Sequence, residues 1–392
     1  MAIRSIFVTV LTFWTAFAAG QVSGQFYMEK STFAPGEPVF LYFEVTNDGP
    51  KSVNLLQADP YSFCSGYQVS VSSDPGLRSL CGPGGIAGSC LSSNVALQPG
   101  KKRIERILLN FEHNISAPTD YEVDAVRHLD HVGTDVDYFK ATKDTLEVRT
   151  KLNFRVDQNT ESNPMAFQPW VNQLKSTDPE KRREAARTLA SVAPPSLENT
   201  LLTFADNPEI RQFAPLAFYR LNTPRSMAAM ADLLRKVEPG TFEHIKSADY
   251  LAESGDQQWF PLLREVAQKN ANISSYVDDA AELGGDKMLP TLISLMNSPD
   301  KEFTRINAVT AVGSTGSRAA VPILLDLLRS PDTDIADRAR YALGLLTHRA
   351  ASDVQSGSPQ SQYFQWAQWW AREGTAAPIY RRTECGDYSP LH

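Results

Sequence analysis

Little in this sequence announces an enzyme. It holds no HExxH, no GxSxG and no P-loop, and its six histidines are scattered along 392 residues. Four cysteines are present, Cys64, Cys81, Cys90 and Cys385, but no CxxC pair, so the usual zinc spacing is missing. The glycine-rich GPGGIAG (82–88) lacks the strand-then-helix setting that a dinucleotide loop requires. An excess of positive charge is also absent. The net charge is −7 and the isoelectric point lies near 5.5, which excludes a general attraction to nucleic acid or anionic lipid. Beyond the first 20 residues no apolar run approaches the length of a membrane span.

What is present begins with MAIRSIFVTVLTFWTAFAAG. Arg4 is followed by an uncharged run from Ser5 to Gly20 that ends in small residues, the pattern of a secretory signal over 1–19. The run has about 15 apolar residues, short of the roughly 20 that an uncleaved anchor needs. No cysteine follows the cleavage region, which argues against a lipid anchor. The mature chain is therefore expected to be exported, periplasmic or secreted. In an oxidising compartment an even number of cysteines favours disulfides, and four allow three connectivities. Cys81 and Cys90 bracket a flexible glycine loop that closes at low cost. Cys64 then pairs with Cys385 only if the C-terminal tail folds back on the first domain.

A length of 392 residues with 42% hydrophobic content suits two or three domains. Between 25 and 157 the period is two. In EPVFLYFEV, Val39, Leu41, Phe43 and Val45 face one way, and Phe40, Tyr42 and Glu44 the other. Ile107, Leu109 and Phe111 alternate similarly, and Leu146, Val148, Leu152, Phe154 and Val156 hold one phase. With turn signals APGE, NDGP, SDPG and QPGK between them, these runs predict an antiparallel β-sandwich. PTDYEVDAV resembles the sixth strand of immunoglobulin-like domains, with Tyr121 in the tyrosine-corner position. Val123 stands where antibody domains place a cysteine, so the resemblance implies a generic Ig-like sandwich without the antibody-type core disulfide.

Residues 158–168 are a polar linker, and beyond it the pattern changes. Segments of small residue, apolar residue and turn start at 182, 211, 244, 273, 305 and 336, successive starts lying 29 to 33 residues apart. A fixed period near 30 predicts a solenoid of helical pairs over 169–350. The segments resemble HEAT repeats of the phycobilisome-lyase-like type, most closely in RINAVTAVGSTG with its Pro-aliphatic sequel and in ADRARYALGLLT. Ala308, Val309, Val312 and Gly316 are expected to let neighbouring helices approach. Pro261, Pro290 and Pro322 mark second-helix starts, and Leu262, Leu263, Leu292, Leu295, Leu324, Leu325 and Leu328 fill the seam. The expected class is multidomain, all-β then all-α: an Ig-like sandwich, about six HEAT-like repeats, a capping helix at 360–374 and a tail at 375–392.

That cap is QYFQWAQWWAREG, where Phe364, Trp366, Trp369 and Trp370 share a broad face expected to close the solenoid near Leu343 and Leu346. An exposed face binding a glycan or partner is the competing reading. Sequons occur at Asn114 and Asn272, and matter only in a eukaryotic secretory route. For chemistry, RHLDHVGTDVDYF gathers His128, Asp130, His131, Asp135 and Asp137, weak metal candidates read as a solvated loop at one end of the sandwich. No catalytic residue and no cofactor is assigned. The leading function is a non-catalytic binding or scaffolding protein holding a protein partner, not nucleic acid. Its surface is a concave solenoid face of second helices carrying Arg235, Lys236, Arg264, Glu265, Asn297, Asp326 and Arg329, mixed in sign. The alternative is an enzyme, because similar repeats occur in bilin lyases and in deoxyhypusine hydroxylase, an iron enzyme with His-Glu ligand pairs. No repeat here carries that pair; Glu243-His244 has the reverse order.

Overall fold

The computed structural model describes residues 21–58, 66–73, 92–113, 115, 117–137, 140–158, 167–298, 302–348, 359–374, 376–382 and 388–391. The signal segment, all four cysteines and the Asn114 sequon fall outside them, so the expectations of export and of disulfide pairing concern residues not described.

The first region is two sheets. Strands β1 (Val22–Tyr27), β3 (Phe40–Asn47) and β7 (Lys102–Leu108) form one, in the order β1-β3-β7. The other takes β2 (Thr32–Phe33), β4 (Val53–Ala58), β5 (Tyr67–Ser73), β6 (Ser92–Leu97), β8 (Asp120–Gly133) and β9 (Asp144–Val156), in the order β2-β9-β8-β4-β6 with β5 on β8. Every pairing is antiparallel except that of β2 with β9. Period two decides which face is buried. Val39, Leu41, Phe43 and Val45 are fully buried between the sheets with Val123, Leu129 and Phe154. The Tyr121 hydroxyl donates to the Ala117 carbonyl at 2.9 Å, tying the start of β8 to the turn before it.

One run departs from its expected phase. The alternation through Ile107, Leu109 and Phe111 stops at Leu108, where the chain turns into the one-turn helix α1 (Leu109–Glu112). Leu109 stays in the sandwich core while Phe111 packs on the helical region. The same inward phase also carries charge. Arg127 and Glu105 are buried and lie 3.5 Å apart, the Tyr67 hydroxyl donates to Glu105, and Arg127 sits 4.3 Å from the Tyr67 ring centre. An ion pair so enclosed is tolerable only because each partner is satisfied by the other and by neighbours.

The second region stacks helices. After α2 (Gln168–Gln173) come α3 (Pro179–Val192), α4 (Glu198–Leu202), α5 (Ala214–Leu221), α6 (Pro224–Lys236), α7 (Phe242–Glu253), α8 (Phe260–Lys269), α9 (Ser274–Gly284), α10 (Leu289–Met296), α11 (Glu302–Ser314), α12 (Ala320–Leu327) and α13 (Thr333–Thr347). The odd-numbered helices from α3 are the small-residue first helices, and the even-numbered ones from α4 are their partners. Starts follow sequence signals. Asp178 and Asp332 cap α3 and α13 by accepting backbone N–H groups, and Pro261 and Pro290 occupy first turns. Ala308, Val309 and Val312 are fully buried as expected. Gly316 is not the close-approach residue. It lies past the end of α11 at φ +61°, a left-handed turn position, and Gly313 makes the approach instead. A Cβ there would stand 2.9 Å from the Ala342 carbonyl oxygen of α13.

The two regions meet in a built junction. Arg106 lies 4.6 Å from the Phe40 ring and 5.4 Å from that of Trp170, and also bonds Glu184. Arg187 of α3 lies 5.8 Å from both Phe111 and Phe213. Arg220 of α5 donates to the Asn110 carbonyl at 3.3 Å, while the Asn110 side chain accepts from Val39 N–H at 2.6 Å.

The far end is closed by α14 (Pro359–Trp369), which continues as a π-helical turn over Trp370–Gly374. Trp366 and Trp369 are buried in the same core as Leu343 and Leu346, and Trp370 packs half-buried against it. Phe364 does not join them. It is 65% exposed, because the broad aromatic face is wider than the seam it fills. The expected tail is also structured. β10 (Ile379–Arg382) and β11 (Tyr388–Leu391) form a hairpin, Ile379 enters the solenoid core, and Arg381 donates to the Glu282 carbonyl. Arg318 donates to the Gly374 carbonyl and, at 2.6 Å, to that of Ala377.

Replacing Trp366 or Trp369 by alanine is expected to destabilise the helical region by about 3–5 kcal/mol each, measured by denaturant unfolding. Phe364→Ala should leave the midpoint essentially in place. Equal losses at all three positions would contradict this division.

Candidate interaction surface

Each second helix presents one exposed stripe at helical spacing. On α6 it is Arg225, Ala228, Asp232, Arg235 and Lys236; on α8, Pro261, Arg264, Glu265, Gln268 and Lys269; on α10, Pro290, Ile293, Ser294 and, just beyond, Asn297; on α12, Pro322 and Asp326, with Arg329 following. All seven residues singled out from the sequence lie on these stripes. Their polar contacts are local. Arg235 bonds Asp232 at 3.0 Å, Lys269 bonds Glu265 at 2.6 Å and Arg329 bonds Asp326 at 3.1 Å, each within one turn. The Lys269 hydrogen bond and its charge hold Glu265 below the ordinary carboxylate range. Asn297 bonds the Ile293 carbonyl at 2.9 Å, Arg264 lies 5.5 Å from the Phe260 ring, and Arg329 lies 4.7 Å from that of Tyr363. Charge falls along the stack, from Arg225, Arg235 and Lys236 against Asp232 on α6 to none on α10.

Successive first helices pack closely on one another, α5 on α7, α7 on α9, α9 on α11 and α11 on α13, whereas successive second helices meet sparsely. Alanine and glycine permit the tighter spacing on the first-helix side, and some of the polar groups there link neighbouring layers. Ser314 of α11 donates to Asp278 of α9 at 3.0 Å, and Asn307 donates to the Ala271 carbonyl at 2.9 Å. Lys246 pairs with Asp249 on α7 at 2.7 Å. Across from Asp249 lies Asp279 of α9, whose Oδ2 is sealed from solvent without a hydrogen-bond partner. Burial first, then the charges of Asp249, Glu282 and Asp278, push its pKa well above the ordinary carboxylate range.

The metal candidates do not converge. His128, Asp130 and His131 belong to strand β8, not to a loop, and a strand sends alternate side chains to opposite faces. His128 is half-buried, 3.6 Å from Glu147, and Asp130 accepts from Thr145 at 2.8 Å. His131 points the other way and is buried, its Nδ1 without a partner. Asp135 faces Lys51 at 4.0 Å and Asp137 pairs with Lys140 at 3.0 Å. Among the described residues no group of three or more His, Cys, Asp or Glu is placed to hold a metal ion. No described helix is long and apolar enough to cross a membrane.

Sequence reasoning missed the buried pair Arg127–Glu105, the facing Asp249 and Asp279, and the junction around Arg220. The first was accessible. Arg127 shares the inward phase of Val123, Ala125 and Leu129, and Glu105 that of Ile107. The others depend on contacts between helices that no local pattern records.

A family model for HEAT repeats matches residues 167–241 and 274–344, so the helical region carries HEAT repeats. No curated protein matches the chain. Among solved structures, human deoxyhypusine hydroxylase is 15% identical with a TM-score of 0.26, over 48% of this chain and 75% of that one. A Salmonella alpha-2-macroglobulin is 12% identical (TM-score 0.20, 92% of this chain), and one from E. coli in its native conformation 13% identical (0.20, 95%). This chain spans only 28% of either macroglobulin. Likenesses at these scores carry no inference about activity.

A group whose folded pKa is raised lends stability below its unfolded pKa and loses it as pH rises through the folded value. Asp279→Asn should therefore raise the melting temperature above neutral pH, by about 2–4 °C for each kcal/mol of relieved burial. Near pH 4 the gain should vanish. Calorimetry at both pH values checks this, and equal gains would contradict it.

Proposed function

We propose that this is a non-catalytic exported scaffold whose Ig-like sandwich and HEAT solenoid together hold another protein, with the second-helix stripe as the contact surface. The observation that carries the reading is a division between the two sides of the solenoid. On the first-helix side Ser314 and Asn307 bond across layers. On the second-helix stripe the ion pairs Arg235–Asp232, Lys269–Glu265 and Arg329–Asp326 lie within single helix turns, where an exposed pair contributes a few tenths of a kcal/mol at most, and only Arg225, on Asn199, and Arg329, over Tyr363, reach another helix. Arg235, Lys236, Arg264, Glu265, Asn297, Asp326 and Arg329 thus add little to the fold, yet they recur in register along four helices. A mixed-sign surface with arginine and an exposed Ile293 suits a protein partner better than nucleic acid. Export and the pairing of Cys64, Cys81, Cys90 and Cys385 belong to the same reading, as does the Ig-like assignment, which the Tyr121–Ala117 hydrogen bond supports. The protein acts by binding and uses no cofactor.

The test combines Arg235→Glu, Lys236→Glu and Arg264→Glu in one chain. Its melting temperature should stay within about 2 °C of the parent, since exposed charges away from structural contacts alter stability by about 0.5 kcal/mol or less. Crosslinking to the partner in native extract should fall at least tenfold, read by mass spectrometry. Undiminished crosslinking would move recognition to the sandwich or the first-helix side.

A further inference from the structure

We infer that His113 is a proton-operated latch on the junction between sandwich and solenoid: charging its imidazole releases the two regions while each stays folded. The segment Leu109–Ile115 is built for such a role. Leu109 and Ile115 anchor it in the sandwich core, while Phe111 between them packs on the solenoid. Asn110 couples both sides, its side chain to Val39 and its carbonyl to Arg220. His113 closes the helical turn, its N–H bonded to the Leu109 carbonyl at 3.0 Å. Its Nε2 is sealed from solvent with no hydrogen-bond partner. An imidazolium there would hold a buried, unanswered N–H donor beside a guanidinium that keeps its charge at every working pH.

The junction carries further charged and titratable groups, of which Arg220 acts on the ring. From α5 come Arg220 and Tyr219, and from α7 Tyr250, stacked on Tyr219 at 4.5 Å. From α3 come Arg187, over Phe111, and Glu184, engaged by Arg106 and Gln173. On the sandwich side Glu37 is paired with Lys30. Burial first, and the Arg220 charge second, hold the His113 pKa at about 4 in place of the ordinary 6.5.

The sign follows from that depression. Above pH 6.5 the imidazole is neutral whether docked or released, and the junction keeps its full strength. As pH falls from 6.5 toward 4, the released form takes up the proton and the docked form does not. Docking then weakens progressively across the window, by at most about tenfold per pH unit.

Small-angle scattering of the full chain between pH 7.5 and 4, with far-UV circular dichroism on the same samples, tests the latch. The parent is expected to expand reversibly below pH 6.5 while its dichroism is unchanged. His113→Gln and His113→Phe should stay compact throughout. If neither variant folds, Arg220→Gln keeps an amide for the Asn110 carbonyl and should expand less than the parent, since the like charge is gone. Three results would overturn the proposal: constant dimensions in the parent, expansion of the variants at the parent's midpoint, or loss of dichroism together with the expansion. Expansion of the His113 variants would assign the acid response to another group.

Discussion

A helical layer has two apolar faces, so a finite stack of layers leaves one uncovered at each end. Most of what is distinctive in this chain answers that constraint. At the front, the sandwich supplies the cover. β7 breaks into a helical turn so that Phe111 can leave its own core and enter the next one, and Trp170 is clamped between Phe40 and Arg106. At the back, Trp366 and Trp369 fill the seam, and the C-terminal hairpin adds Ile379. The π-helical turn at Trp370–Gly374 has the same purpose. A Cβ on Gly374 would lie 2.0 Å from the Trp370 ring, so only glycine lets that indole fold back over the chain.

The parts that repeat were legible in the sequence, because each repeat has to solve one packing problem with the same local chemistry. Starts at 182, 244, 305 and 336 fall within first helices and 273 is the cap residue before α9, and the alternation in EPVFLYFEV gave the buried face of β3 residue by residue. Period alone could not say where a strand would end. Phe111 fits the strand pattern and violates it only because the solenoid offers its ring a second core. The hairpin at the end was illegible for a related reason. Its anchors, such as Arg381 on the Glu282 carbonyl, join residues 99 apart and carry no local signature.

Three buried polar groups show how the chain handles one penalty in different ways. Arg127 meets Glu105, so both charges persist inside the sandwich. Asp279 faces carboxylates, and is most stable carrying a proton that it can donate to Asp249. His113 faces an arginine, and is most stable without one. The second and third bind protons in opposite senses, which makes the layer contact strongest in acid and the junction strongest above neutrality.

The two sides of the solenoid are also linked mechanically. Close packing transmits spacing, since a well-packed interior does not absorb displacement. Among the first helices, the separation of α11 from α13 is set by how nearly Gly313 can approach the Ala342 carbonyl, 2.9 Å from where a Cβ would stand. The second helices are attached to the first ones layer by layer, α10 on α11 and α12 on α13, and touch one another little. The distance between exposed stripes is therefore not chosen by the residues on them. It is inherited from alanines and glycines on the opposite side, so the residues with least chemistry determine the pitch at which the charged ones are offered to a partner.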